Sequence, residues 1–345
     1  MTAKKRIAIA CQGGGSHTAF TAGVLKKMLA EGVQEKIDLV ALSGTSGGAI
    51  CATTCLYGLL KTANGSESPP YKWLVDFWNA NSANSTWEKA FNAMAIGATR
   101  MIQQGLIPSY TADPYHTDYI TSFWQSLSPR AEFLDFQRML ENCIDFNELQ
   151  SLIKPSSPRL FLGAVDILSG DFKVFDSLNP KEIRAETIMA SAGIPTLFKA
   201  VEIDGSAYWD GLFSQNPPVA NFLKSDMKKR PDEIWVIKIN PIQRKKIPDT
   251  GADIIDRRNE LAGNLSLLKQ IQFIEFINTL LEKGALNEEL QNKYKPVKIR
   301  WIAMSEKMAD SLDYASKLER DSEFIASLMD EGEKQAEEFL NSNIW

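Results

Sequence analysis

Cysteine and histidine are both scarce in this chain of 345 residues, which has four cysteines and two histidines. None of the cysteines is spaced as a CxxC pair, and the histidines, His17 and His116, are too few to complete a zinc site. We therefore expect no metal and a free, buried thiol at each cysteine. The cysteines are Cys11, Cys51, Cys55 and Cys143.

The sequence also lacks any concentrated positive charge. Its 38 Lys and Arg residues and 43 Asp and Glu residues are spread along the whole chain, and the formal net charge is -5. Nucleic acid is therefore not expected as a partner. Residues 1–6 lead into a short apolar stretch without the long apolar region and small-residue cleavage site of a secretion signal. We expect a cytoplasmic location and leave peripheral contact with membranes open.

One segment, residues 39–60, contains no charged residue and could be mistaken for a membrane span. Its first half holds the sequence Gly-Thr-Ser-Gly-Gly at residues 44–48. Glycines in these positions favour a buried strand, a sharp turn and a buried helix.

Strand and helix patterns alternate along the first sixty residues, and this order predicts an α/β fold with a mostly parallel sheet and crossover helices. Strands are expected at 6–11, 38–43, 159–166, 172–175, 233–240 and 297–303, with a hairpin over 201–209 that turns at Asp204-Gly205. Helices are expected at 18–31, after Ser46, at 188–192, at 264–283 and at 321–341.

The absence of internal repeats favours one domain over residues 1–345. Residues 62–136 open with a polar loop and are rich in aromatic side chains, which is typical of a cap or insertion. They could line an acyl channel, dip into a bilayer surface, or form an ordinary helical core. Residues 250–345 are expected to be a helical C-terminal part with one further strand.

The pentapeptide at residues 44–48 matches the pattern G-x-S-x-G between a strand and a helix. In such an elbow Gly44 and Gly48 permit a tight turn, and Ser46 is presented at a helix N-terminus. Backbone N–H groups at that terminus stabilise developing negative charge. Ser46 is therefore the candidate nucleophile, with the N–H of Gly47 as a candidate oxyanion donor. An ordinary glycine-rich turn is the alternative.

Three glycines, Gly13, Gly14 and Gly15, follow the first predicted strand directly. Consecutive glycines let several N–H groups point at one position, which suits a phosphate or an oxyanion. The P-loop sequence is absent, and the dinucleotide fingerprint fails at Thr18. An oxyanion hole is therefore the preferred interpretation.

A serine nucleophile needs a base, and the common hydrolase order places a histidine after the acid. No histidine follows His116. We expect structural or surface roles for His17 and His116, so either a carboxylate takes the place of the imidazole or the protein does not catalyse hydrolysis.

Four motifs together resemble patatin-like phospholipases of the bacterial type, in order and spacing. The resemblance extends from about residue 5 to residue 240, and residues 256–265 are also similar to bacterial members. The motifs are Gly13-Gly14-Gly15, Gly44-Thr45-Ser46-Gly47-Gly48, residues 190–195 (Ala-Ser-Ala-Gly-Ile-Pro) with Phe198, and Tyr208-Trp209-Asp210-Gly211 leading to Asn216-Pro217-Pro218.

The resemblance implies a three-layer α/β/α fold, a Ser46–Asp210 catalytic dyad and catalysis without a cofactor. Gly13, Gly14 and Gly15 match the oxyanion loop, and Gly211 completes the Asp-Gly motif. The family commonly has Arg or Lys where this chain has His17, which weakens the expectation of a fixed positive charge there. Leu212 also departs from the usual Gly or Ala.

An aspartate near its reference pKa of about 3.9 is a weak base for a serine hydroxyl, so burial must raise the pKa of Asp210. The expected function is a lipid acyl hydrolase of phospholipase A or lysophospholipase type, acting on phospholipid or another acyl ester through an acyl-serine intermediate. An esterase or thioesterase on soluble substrates and a non-catalytic lipid-binding protein remain as alternatives.

Overall fold

A computed structural model describes residues 4–104, 106, 135–193, 199–224, 226–245 and 247–342. The strands are β1 Arg6–Cys11, β2 Asp38–Gly44, β3 Arg159–Asp166, β4 Phe172–Asp176, β5 Val201–Ile203, β6 Ser206–Asp210, β7 Glu233–Lys238 and β8 Lys298–Ala303. The helices are α1 Ala19–Ala30, α2 Val33–Lys36, α3 Gly47–Ala63, α4 Lys72–Asn81, α5 Thr86–Gln103, α6 Phe136–Cys143, α7 Phe146–Leu152, α8 Ala185–Ala192, α9 Gly251–Glu282, α10 Glu288–Lys293, α11 Glu306–Asp310 and α12 Ser322–Leu340.

All eight strands form one sheet in the order β5-β6-β3-β2-β1-β7-β8, with β4 paired to β3. Five neighbouring strands of the sheet are parallel to one another, namely β3, β2, β1, β7 and β8. By contrast, β4 and β6 run antiparallel to β3, and β5 runs antiparallel to β6. The predicted hairpin joins β5 to β6, and Asp204 and Gly205 at its turn both have positive φ. The predicted three-layer α/β/α fold with a mostly parallel sheet is confirmed.

Alternate residues of β1 belong to different core clusters. Ile7, Ile9 and Cys11 pack in the larger cluster with α1 and α3, whereas Ala8 and Ala10 pack in a second cluster with α9. Both faces of the strand are therefore covered, which explains why its sequence is continuously apolar.

The uncharged segment 39–60 forms most of β2, the turn at Ser46 and most of α3, as predicted. Every residue of α3 from Gly47 to Gly58 is buried. Across the part of the chain that the structure describes, no helix has both the length and the apolar character that crossing a bilayer requires.

The C-terminal part is integral to the core. Strand β8 extends the sheet beside β7, and α12 packs against α1. At the helix crossing, a Cβ placed on Gly23 would lie 2.0 Å from the Met329 carbonyl oxygen, and one on Gly332 would lie 2.1 Å from that of Phe20. Only glycine permits so close a crossing.

Helix α9 starts earlier than predicted, at Gly251 instead of residue 264. The prediction was wrong at this end because the first three turns carry charged residues on most sides, which conceals the apolar period. The start is marked by Thr250, whose hydroxyl accepts a hydrogen bond from the Asp253 N–H at 3.2 Å.

The first part of the aromatic segment is continuous with the main core, since Leu74, Phe77 and Trp78 of α4 pack in the same cluster as α1 and α3. Trp87 of α5 is instead more than half exposed. Residues 105 and 107–134 of the expected cap, including His116, lie outside the described residues.

Candidate active site

Ser46 forms the turn between β2 and α3. Its backbone has φ 57° and ψ -131°, a region that residues other than glycine seldom adopt and that costs on the order of 1–3 kcal/mol. The Ser46 N–H donates to the carbonyl oxygen and to the hydroxyl of Ser191, both at 3.1 Å. The Ser191 hydroxyl in turn donates to the Gly163 carbonyl at 2.7 Å. The strained turn is therefore held by α8 and β3.

The glycine loop at residues 13–15 packs directly against this turn. A Cβ on Gly13 would lie 2.4 Å from the Thr45 carbonyl oxygen and 2.8 Å from the Ser46 Cβ. A Cβ on Gly48 would lie 2.2 Å from the Cys11 carbonyl oxygen. The close approach of loop and elbow thus requires glycine on both sides.

The predicted oxyanion donors differ in availability. The Gly13 N–H donates to Asn216 Oδ1 at 2.7 Å, so it is already engaged. The N–H groups of Gly14, Gly15 and Gly47 have no partner among the described residues. Of the predicted oxyanion donors, these three N–H groups are therefore the ones left to donate a further hydrogen bond, whereas that of Gly13 is not.

Polar side chains that carried no clear sequence signal hold the glycine loop. Gln12 Oε1 accepts from the N–H groups of Ile239 and Asn240 at 2.8 and 2.9 Å, and its amide nitrogen donates to Asn264 Oδ1 at 3.0 Å. The loop is thereby tied to the end of β7 and to α9. The only sequence feature that could have indicated this role is the place of Gln12 directly before the three glycines.

Asp210 is the last residue of β6, which pairs with the C-terminal end of β3. Gly44 lies opposite Leu162, and Asp210 lies opposite Ala164, two residues further along β3. Because β4 occupies the other edge of β3 over Phe161 to Val165, β6 must lie on the same edge as β2. Asp210 therefore follows the point at which β2 turns into Ser46.

The Asp210 side chain is 1% exposed. One carboxylate oxygen accepts from the Leu212 N–H at 2.8 Å, and the Ser46 side chain lies near the carboxylate and favours its charged form. Burial raises the pKa of Asp210 to about 7, although the Leu212 N–H, the Ser46 side chain and the nearby charge of Lys317 act in the opposite direction. The carboxylate is thus a much stronger base than an exposed aspartate.

His17 is buried beside the glycine loop. Among the described residues, its side chain makes no hydrogen bond to Ser46. Its Nε2 lies 2.8 Å from the Ser316 hydroxyl. Burial, with Lys317 and Arg244 nearby, holds the pKa of His17 well below its usual range. The ring is therefore neutral at pH 7, and its contact with Ser316 joins two parts of the fold.

The remaining described motif residues lie around Ser46 and Asp210. The Asp210 N–H donates to the Gly193 carbonyl at 3.0 Å, and the Thr45 hydroxyl donates to the Gln215 carbonyl at 2.6 Å. A Cβ on Gly211 would lie 2.5 Å from the Gly163 carbonyl oxygen. The peptide bond between Asn216 and Pro217 is cis. Ile194, Pro195 and Phe198 lie outside the described residues.

Cavities in the described part of the molecule include one near the glycine loop and one far from it. One, of about 20 Å³, lies beside the glycine loop and is lined in part by His17, Asn240 and Lys317. The other, of about 880 Å³, lies away from Ser46 at the N-terminal ends of β2 and β3. Within the same described ranges, no group of His, Cys, Asp and Glu side chains is arranged to hold a metal ion.

Comparison with known proteins gives one family match. Residues 9–223 match the sequence profile of the family described as "Patatin-like phospholipase". No curated protein matches the chain.

Two solved structures that match the chain share little sequence with it. VipD from Legionella pneumophila is 11% identical with a TM-score of 0.40, covering 98% of this chain and 67% of that one. The structure of full-length SpcU in complex with full-length ExoU, from the type III secretion system of Pseudomonas aeruginosa, gives 12% identity and a TM-score of 0.32. That match covers 99% of this chain, which spans 54% of the other.

Proposed function

The chain belongs to the patatin-like phospholipase family, and we propose that it hydrolyses the acyl esters of phospholipids or lysophospholipids through an acyl-Ser46 intermediate. The observation that carries this proposal is the position of the Ser46 side chain beside a buried Asp210 whose pKa is raised to about 7. Family membership implies a lipid hydrolase, and the dyad is the proposed means of catalysis.

In the first half of the reaction, Asp210 takes the proton from the Ser46 hydroxyl as the Ser46 oxygen attacks the ester carbonyl carbon. The carbonyl oxygen becomes an oxyanion that accepts hydrogen bonds from the N–H groups of Gly14, Gly15 and Gly47. Asp210 then gives its proton to the departing alcohol or lysolipid as the carbon–oxygen bond breaks. The acyl group remains on Ser46.

In the second half, a water molecule attacks the acyl-Ser46 carbonyl carbon and gives a proton to Asp210. The same N–H groups stabilise the second oxyanion. Its collapse releases the fatty acid and returns the proton to the Ser46 oxygen. The strained backbone of Ser46 holds its side chain toward Asp210 and the substrate carbonyl in both halves of the reaction.

We further propose that an exposed apolar surface beside Asp210 contacts the lipid surface from which substrate is taken. Phe213, three residues after Asp210, is 55% exposed, and Leu265 of α9 is 61% exposed. They belong to neighbouring segments, since a Cβ on Gly263 of α9 would lie 2.9 Å from the Leu212 Cδ1. Leu261, one turn before Leu265, is also more than half exposed. Exposed apolar patches mark surfaces for protein or membrane contact, and a lipid surface is the partner that fits a neighbouring site for acyl esters.

Labelling of Ser46 tests the chemistry. We expect a fluorophosphonate probe to label the wild-type protein and not the Ser46→Ala variant, with phospholipid vesicles slowing the labelling. If short p-nitrophenyl esters are hydrolysed but phospholipid is neither cleaved nor competitive, the protein is an esterase on soluble substrates. Absence of labelling in folded wild-type protein would overturn the proposal.

Sedimentation with vesicles tests the lipid-contacting surface. Replacing both Leu261 and Leu265 by glutamate should reduce binding to vesicles and cleavage of vesicle phospholipid, while hydrolysis of a short soluble ester is retained. The matched control is Leu178→Glu, because Leu178 is 63% exposed but lines the cavity at the far ends of β2 and β3. Equal loss in the control, or no loss in the double variant, would contradict this surface.

A further inference from the structure

Position 17 cannot supply a cation to the glycine loop in this chain. The imidazole of His17 is buried, and burial together with two nearby cations holds its pKa well below the usual range. The Ser316 hydroxyl donates to the Asp313 carbonyl at 2.7 Å, so the hydrogen bond between His17 and Ser316 must be donated by Nε2 of His17. His17 therefore acts as a neutral anchor for the turn that contains Ser316.

The residue after Ser316 is a lysine. The 3-10 turn Ala315–Leu318 packs on the glycine loop so closely that a Cβ on Gly15 would lie 2.3 Å from the Lys317 carbonyl oxygen. The Lys317 Nζ donates to Asn240 Oδ1 at 3.3 Å, and the Asn240 amide nitrogen donates to the Gly13 carbonyl at 3.4 Å. The ammonium is thus linked to the loop through one side chain.

We infer that Lys317 is a positioning residue that supplies the positive charge of the oxyanion site, in place of the basic residue that position 17 lacks. The inference rests on the proposed function. The cation acts through Asn240 and Gly13 and across space, favouring negative charge on the oxyanion. It comes from a segment beyond residues 9–223, so the C-terminal part completes the site.

The other charged groups around Lys317 support this assignment. Glu260 is already paired with Arg244 and with Arg257, and an Asp256 oxygen accepts from the Tyr314 N–H at 2.9 Å. No ion pair joins Lys317 to a carboxylate within the described residues. The positive charge of Lys317 is therefore not neutralised by a direct ion pair among these residues.

Burial and the cation of Arg244 lower the pKa of Lys317, but the carboxylates of Glu260, Asp256 and Asp210 favour its charged form. Lys317 in turn lowers the pKa of Asp210, and neutral His17 adds no charge. Removing Lys317 should therefore raise the pKa of Asp210 while weakening the oxyanion site. A purely structural residue would not change both properties.

Rates of Ser46 labelling by a fluorophosphonate between pH 5 and 9 test the inference. Lys317→Met should slow labelling by about 10- to 100-fold, somewhat less than the loss of a direct oxyanion donor, and should move the acid limb of the profile to higher pH. Lys317→Gln keeps a donor for Asn240 but no charge, so it should be slowed similarly. Lys317→Arg should retain most of the rate. Lys229→Met, which removes an exposed lysine paired with Asp38, should match wild type.

The outcomes separate this inference from the function on which it rests. Folded Lys317→Met or Lys317→Gln with the rate and pH profile of wild type would overturn the role of Lys317 and leave the dyad intact. If Lys317→Met does not fold, Lys317→Gln alone decides. Folded wild type that is not labelled at any pH would contradict the proposed function, and the role of Lys317 would be rejected with it.

Discussion

Asp210 lies near Ser46 because β6 pairs with the same edge of β3 as β2 does, beyond the point at which β2 ends at Gly44. The register places Asp210 two residues beyond Gly44 along the same edge, where the chain turns sharply at Ser46. The same position buries the carboxylate, and burial raises its pKa to about 7. One feature of the sheet therefore both brings the proposed base and nucleophile together and makes the carboxylate more basic.

The activity should rise with pH through about 7. Asp210 accepts the Ser46 proton only when it is ionised, and burial raises the pKa of Asp210 to about 7. We expect the acid limb of kcat/KM for a short soluble ester to have its midpoint near pH 7. A limb at pH 5 or below, in a buffer series of constant ionic strength, would show that the acting base is an ordinary exposed carboxylate.

The same pKa makes stability depend on pH. The folded-state pKa of Asp210 lies above the unfolded value of about 3.9, so its stabilising contribution is full below pH 4 and is lost as pH rises through 7. The isosteric change Asp210→Asn has no charge to bury, and it should stabilise the protein at pH 8 by up to about 4 kcal/mol. Urea unfolding at pH 5 and 8 measures the difference, which should be smaller at pH 5. A variant that is less stable than wild type at pH 8 would contradict the account.

The contact between glycine loop and elbow should not tolerate a methyl group. Gly13→Ala would press a Cβ against the Thr45 carbonyl and the Ser46 Cβ, so we expect Ser46 labelling to fall at least about 100-fold, as for loss of an oxyanion donor. Gly97→Ala is the control, because its Cβ would meet nothing within 4 Å and alanine favours the helix by roughly 0.5–1 kcal/mol. Normal labelling of Gly13→Ala would show that the loop can move away.

The crossing of α1 and α12 should be equally intolerant. Gly332→Ala places a Cβ 2.1 Å from the Phe20 carbonyl oxygen, and overpacking of this kind costs about 1–3 kcal/mol. We expect a lower thermal midpoint than for Lys334→Ala, an exposed change in the same helix that should stay within about 0.5 kcal/mol of wild type. Equal midpoints for the two variants would mean that the helices are not held this closely.

Much of the fold was predictable because local patterns determine it. The strands at 6–11 and 159–166 have the predicted bounds, since apolar runs flanked by turn residues leave little choice. The start of α9 was not predictable in the same way, because charged residues surround its first turns and only the Thr250 cap marks it.

The candidate site was predictable as far as its motifs extend. Gly13, Ser46 and Asp210 stand in recognisable local sequences, and the structure brings all three together. Asn240 and Lys317 have no such sequence context, because they reach the glycine loop through the order of strands and the packing of a distant turn. Long-range contacts of this kind leave no local pattern.

Release of fatty acid from mixed phospholipid vesicles, by wild type, Ser46→Ala and Asp210→Asn, tests the central claim most directly. All three proteins should have the same circular dichroism spectrum, and the account predicts that wild type releases fatty acid while neither variant does. Full activity of folded Asp210→Asn would contradict the dyad and require another base for Ser46.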